Sequence, residues 1–134
     1  MPEFTAFLWL DSWVQQATFD PPCVTVCIKQ GRPAAELLDT SGSFLLNLIG
    51  EDSAALFKHF GKGFALDKDA FAGLAVRETC FGPLVESCIA HLGCRVSKKI
   101  PIGDHDLYVG EVQAGGVVEG AKPYTHIRKN GLSY

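Results

Sequence analysis

The sequence predicts a mainly β fold, a small antiparallel barrel with short helical insertions. Two observations carry that prediction. Apolar and polar residues alternate with a period of two from Val24 to Ile28 and again from Ala90 to Val96, the pattern of half-buried strands. Short apolar segments also recur along the chain between Gly- and Pro-containing turns, with room for two or three brief helices. The 134 residues suit a single domain, 1–134, large enough to bury a core without a metal or disulfide staple. No internal repeat or low-complexity stretch competes with this reading.

The elements follow in order. An apolar patch from Ala6 to Leu10 has no basic segment ahead of it and is closed by Asp11, so it reads as neither a signal peptide nor a membrane span. Asp20-Pro21-Pro22 forbids helix and opens the strand from Val24 toward Lys29. Pro33 suits the first turn of a helix over 33–40, and Gly42 marks its exit. Ser43 to Ile49 is an apolar strand holding one polar residue, Asn47, and it stops at Gly50. Asp52 or Ser53 can cap a second helix over 52–60, ended by Gly61 and Gly63. Ala90 to Val96 is a strand, Pro101 to Asp104 turns it, and Leu107 to Val112 returns, giving a long antiparallel hairpin. Gly115-Gly116 is expected to turn the chain again before a short strand at Val117-Val118 and a polar tail.

Charge and cysteine content narrow the function classes. Twelve Lys and Arg against fifteen Asp and Glu give 12 − 15 = −3, with no basic block to neutralise phosphates, which argues against nucleic acid. Cys23, Cys27, Cys80, Cys88 and Cys94 show neither a CxxC pair nor zinc spacing with histidine, so no metal site is expected. They read as reduced, buried small hydrophobes of a cytoplasmic protein.

Ser12-Trp13-Val14-Gln15-Gln16, then Phe19-Asp20-Pro21-Pro22, a strand ending at Lys29, and Ser43-Phe44-Leu45-Leu46-Asn47-Leu48 stand in an order that resembles the flavin reductase family. Lys58-His59-Phe60, Gly103-Asp104-His105 and a tail of His126-Ile127-Arg128-Lys129 with Gly131 and Tyr134 resemble one branch of it, the C-terminal flavin reductase module of flavodiiron (diflavin) proteins of oxygenic phototrophs. The resemblance runs from Ser12 to Tyr134. Eleven residues precede Ser12, so the first barrel strand is expected to be missing or rebuilt from the segment Thr5 to Leu10.

The resemblance implies an FMN-binding split barrel, with FAD as the other possible flavin, acting as an NAD(P)H:flavin oxidoreductase. NAD(P)H would bind transiently as hydride donor, so the lack of a Gly-rich dinucleotide fingerprint does not count against it. Carried over position by position, it implies Ser12, Trp13 and Val14 in the loop at the flavin ring edge, and Lys29 with Arg32 near the phosphate. Phe44 is implied as ring wall or core, and Asn47 as a donor to the flavin or to a neighbouring loop. His126 is implied at the nicotinamide or flavin edge and Arg128 at the pyridine nucleotide phosphates. Ser12 as a turn hydroxyl and Lys29 as a solvated strand end are the plain alternatives. An Asp104–His105 contact is expected to anchor the hairpin, and His59 and His91 are taken as surface or helix-end residues. Implied partners are a second copy of the chain and a flavodiiron core that reduces dioxygen. The competing reading is a non-catalytic split-barrel binding or dimerisation module with weak or no flavin binding.

Overall fold

The structure, a computed structural model, describes residues 13–51 and 75–123. It contains β1 (Val14–Thr18), β2 (Cys23–Lys29), α1 (Pro33–Ser41), β3 (Ser43–Leu48), β4 (Val76–Thr79), β5 (Gly82–Val85), β6 (Ala90–Ile102) and β7 (His105–Val117). Every pairing is antiparallel. Five strands form one sheet in the order β1-β2-β7-β6-β3, and β4-β5 form a second. The mainly antiparallel β architecture with a helix after β2 is the one the alternation predicts. The expected helix over 52–60 and the rebuilt first strand lie outside the described residues.

The β6–β7 hairpin is longer than the sequence pattern implied. Both strands run 13 residues, and Pro101 and Ile102 pair with Asp106 and His105, so the turn shrinks to Gly103-Asp104. Pro101 is tolerated because β3 covers only Ala90 to Arg95, leaving the far half of β6 without a neighbour on that side among the described residues. The register shifts between Gly93 and Cys94 and again between Val96 and Lys98, irregularities that bend a strand and increase its twist.

Gly115-Gly116 is not a turn. Both lie within β7, paired with Leu92 and His91, because the bare backbone makes room for what crosses it. A Cβ on Gly115 would come 2.8 Å from the His91 carbonyl oxygen, and one on Gly116 would come 2.7 Å from His91 Cε1. His91 is therefore a half-buried strand residue laid over Gly116, not a surface or helix-end residue. Val117 ends β7 and Val118 lies beyond it. The segment taken as a loop at Trp13 to Gln16 likewise becomes β1 from Val14 onward, paired with β2.

The core forms where β2, β7 and β6 face α1 and β3. Val24, Val26, Ile28, Ala34, Ala35, Leu38, Phe44, Cys94 and Tyr108 make one buried cluster. Cys94 is fully buried at its centre, and burial pushes its thiol up to about 11. The Phe44 ring crosses β6 to lie where a Cβ on Gly110 would stand 2.5 Å from Phe44 Cζ. All five cysteines are free; Cys23 and Cys94 are buried as expected, whereas Cys80 is exposed in the β4–β5 turn. Among the described residues no helix is long and apolar enough to cross a membrane.

Two polar devices lock the pieces together. Asn47 on β3 accepts from the Val85 N–H at 2.9 Å and donates from Nδ2 to the Pro83 carbonyl at 3.1 Å, tying the small sheet to the large one. Phe81 adds an apolar tie, its ring filling the space that a side chain on Gly93 would need. On the other side, Asp39 near the end of α1 accepts from Tyr108 Oη at 3.0 Å and from Lys99 Nζ at 3.0 Å. Lys99 Nζ also lies 3.7 Å from Asp106, whose other oxygen accepts from Gln30 Nε2 at 3.0 Å.

Asn47→Ala should lower stability by about 1 to 3 kcal/mol, because it leaves a backbone donor and acceptor of β5 unpaired. The loss should be the same at low and high salt and should come with faster hydrogen exchange at the Val85 amide; unchanged exchange there would count against the tie. Burial and the Asp39 carboxylate beside it push the Tyr108 hydroxyl up to about 12. A folded-state value above the unfolded value of 10.0 means that the native state keeps a proton the unfolded chain loses. The corresponding stability is full below pH 10 and is lost as pH rises toward 12. In an alkaline titration of tyrosinate absorbance, one of the three tyrosines should ionise late, and Tyr108→Phe should remove that late phase.

Candidate functional site

The chemistry-bearing side chains gather where β2 ends and β7 begins. Lys29 pairs with His105 across that end of the sheet. The register of β1, with Val14 opposite Val26, delivers the preceding residue Trp13 to β2, and the Cys27 N–H donates to the Trp13 carbonyl at 3.1 Å. Its indole stacks on the His105 imidazole with centroids 4.5 Å apart and planes 27° from parallel. The expected Asp104–His105 contact is present, with Oδ1 and Nδ1 2.8 Å apart. The histidine beside it holds the exposed Asp104 carboxyl below the usual carboxylate range.

The β2–α1 turn borders this cluster. Gln30 donates its N–H to the Asp104 carbonyl at 2.9 Å, and the Arg32 N–H reaches back to the Lys29 carbonyl at 3.3 Å. Arg32 is the N-cap of α1, extended in backbone, with Pro33 in the first turn and no side-chain capping bond. Lys29 and Arg32 are both exposed. Two cations beside the positive end of a helix dipole make a setting in which an anionic group is favoured.

Of the residues singled out from the sequence, Trp13, Val14, Lys29 and Arg32 share this end of the fold. Phe44 and Asn47 are on β3, at the other edge of the five-strand order. Phe44 is enclosed in the core, and the Asn47 amide bonds to β5. Ser12, His126 and Arg128 lie outside the described residues. Sequence reasoning missed the Trp13–His105 stack and the Gln30–Asp106 bond. The Gly103-Asp104-His105 signal was visible, but its link to Trp13 and to the turn at Gln30 exists only through strand register. Among the described residues, no three His, Cys, Asp or Glu side chains are grouped to hold a metal ion.

Comparison with known proteins agrees with the fold. The flavin reductase like domain family matches residues 11–131. Diflavin flavoprotein A 1 of Synechocystis sp. is 35% identical over 129 residues, covering 93% of this chain and 22% of that protein. The chain thus spans about a fifth of the length of the curated relatives it matches. Among solved structures, the NADH:FAD oxidoreductase SgcE6 of Streptomyces globisporus C-1027 superposes with a TM-score of 0.79 at 19% identity, over 84% of this chain and 69% of that one. The styrene monooxygenase flavin reductase of Pseudomonas putida S12 gives 0.69 at 28% identity, over 81% of this chain and 68% of that one. With a match that spans most of its length and a shared antiparallel split-barrel fold, this chain belongs to the flavin reductase like domain family.

Proposed function

We propose that this chain, residues 1–134 as a single domain, is a cytoplasmic FMN-binding flavin reductase module. It takes hydride from NAD(P)H and passes the electrons through flavin to a flavodiiron-type partner that reduces dioxygen. The observation that carries this reading is the 35% identity to diflavin flavoprotein A 1 across 93% of the chain.

The residues of the β2–α1 turn fit the group the family implies. A phosphate dianion needs positive charge and N–H donors, and the Lys29 ammonium and Arg32 guanidinium offer both beside the positive end of the α1 dipole. Ser12, Trp13 and Val14 would line the ring edge, with Phe44 and Asn47 shaping the β3 side. Trp13 is held for this by its stack on His105. His126 would donate near the nicotinamide, and Arg128 would pair with the pyridine nucleotide phosphates. Bound FMN, or FAD in its place, supplies the hydride-accepting ring. The protein holds the two rings in register and needs no nucleophile of its own.

Purified protein should carry flavin absorbance and oxidise NAD(P)H when FMN is supplied. A colourless protein that neither quenches FMN fluorescence nor oxidises NAD(P)H would favour a non-catalytic binding module instead. Lys29→Ala should weaken FMN binding, and the loss should shrink as salt rises, because exposed ion pairs are screened over about 10 Å at 0.1 M. A Lys29→Ala affinity equal to that of the parent at both salt concentrations would remove Lys29 from the site. The module is also proposed to work as a homodimer, with the flavin pocket completed across a two-fold axis. Light scattering at tens of micromolar, roughly the range where a weak obligate interface is filled, should give twice the chain mass, and a monomer there would overturn the dimer.

A further inference from the structure

We propose that Gln30 and Asp106 act as a pair of positioning residues that fix the cations of the β2–α1 turn for a phosphomonoester; the inference rests on the reading of that turn as the flavin phosphate site. Gly31 sits at φ +84° with nothing within 4 Å of where a side chain would point. Lys29 and Arg32, on either side of it, have exposed positions. Beyond the Lys29–His105 strand pair, Gln30 ties the turn to the β6–β7 hairpin twice, through its N–H to the Asp104 carbonyl at 2.9 Å and through Nε2 to Asp106 Oδ1 at 3.0 Å.

Asp106 is an expensive residue for such a place. It is 6% exposed, and a buried carboxylate costs free energy unless it is paired and hydrogen-bonded. Its ion pair with Lys99 is long at 3.7 Å, and Lys99 makes its shorter contact to Asp39 at 3.0 Å. A hydrophobic side chain of similar volume would pack there without that penalty. What the carboxylate adds is direction. It joins Gln30, ahead of α1, to the Lys99–Asp39–Tyr108 group at the helix's other end. Both ends of α1 and the turn before it are thereby held to one hairpin, so that the side chains of Lys29 and Arg32 start from a backbone that does not drift.

The test compares FMN with riboflavin, which shares the ring and lacks the phosphate. Dissociation constants for both are read by fluorescence quenching for the parent chain and for Gln30→Met, Asp106→Leu, Asp106→Asn and Lys29→Ala. The parent should prefer FMN. Gln30→Met and Asp106→Leu should each cut that preference about tenfold, the scale of one hydrogen bond to a charged group. The double variant should cut it no further. Asp106→Asn, whose amide oxygen still accepts from Gln30, should keep the preference within about twofold, and riboflavin affinity should stay level throughout. A preference that Lys29→Ala abolishes but Gln30→Met leaves intact would overturn the positioning role and leave the phosphate site standing. Equal losses for FMN and riboflavin would reduce the pair to a structural role and overturn the proposal. No preference in the parent, or one untouched by Lys29→Ala, would overturn the phosphate reading and this inference with it.

Discussion

The pairing of β6 with β7 is the constraint on which the rest of the molecule depends. Two 13-residue strands joined at Gly103-Asp104 form the spine of the sheet. β2 and then β1 add to the β7 side, and β3 adds to the β6 side. The proposed site lies at the tip half of that spine. There β7 delivers His105 to Lys29 and Asp106 to Gln30, while β6 delivers Lys99 to Asp39. A slip of one residue in the pairing would turn the β7 side chains to the opposite face from their β6 neighbours and break this arrangement.

Close packing across the spine relies on absent side chains. Phe44 lies over Gly110, Phe81 over Gly93 and His91 over Gly116, each where even a methyl group would collide. Such glycines let a ring from a neighbouring strand or from the β4–β5 turn lie against the backbone and close the core more tightly than strand spacing would otherwise allow. The same absence gives β4–β5 its seat, with Phe81 on one side and the Asn47 amide on the other. A two-stranded hairpin is marginal alone, and here the Phe81 ring over Gly93, the buried β5 and the two Asn47 hydrogen bonds hold it to the larger sheet.

Polar groups inside the barrel serve orientation more than stability. Asp106 and Tyr108, both buried on β7, reach α1 through Gln30, Lys99 and Asp39. Each bond offsets the desolvation of the groups that make it and little more. Together they set the rotation of a nine-residue helix whose apolar contacts involve three buried positions, Ala34, Ala35 and Leu38.

By itself the sequence determined the local elements whose signal is local. The alternation from Val24 to Ile28 specified β2, Pro33 and Gly42 bounded α1, and the apolar run around Asn47 specified β3, because periodicity and fixed φ act over a few residues. Residue order along the chain was also enough to indicate the family. Tertiary structure alone decided that Gly115-Gly116 runs straight through β7, since a glycine pair turns or extends according to what packs against it, and His91 packs against this one. It also decided that Asn47 bonds to β5, that Trp13 stacks on His105, and that Gln30 meets Asp106. Those partners are far apart in the chain and meet only through strand register or the packing of one sheet on the other, so no short window of sequence contains both members of any pair.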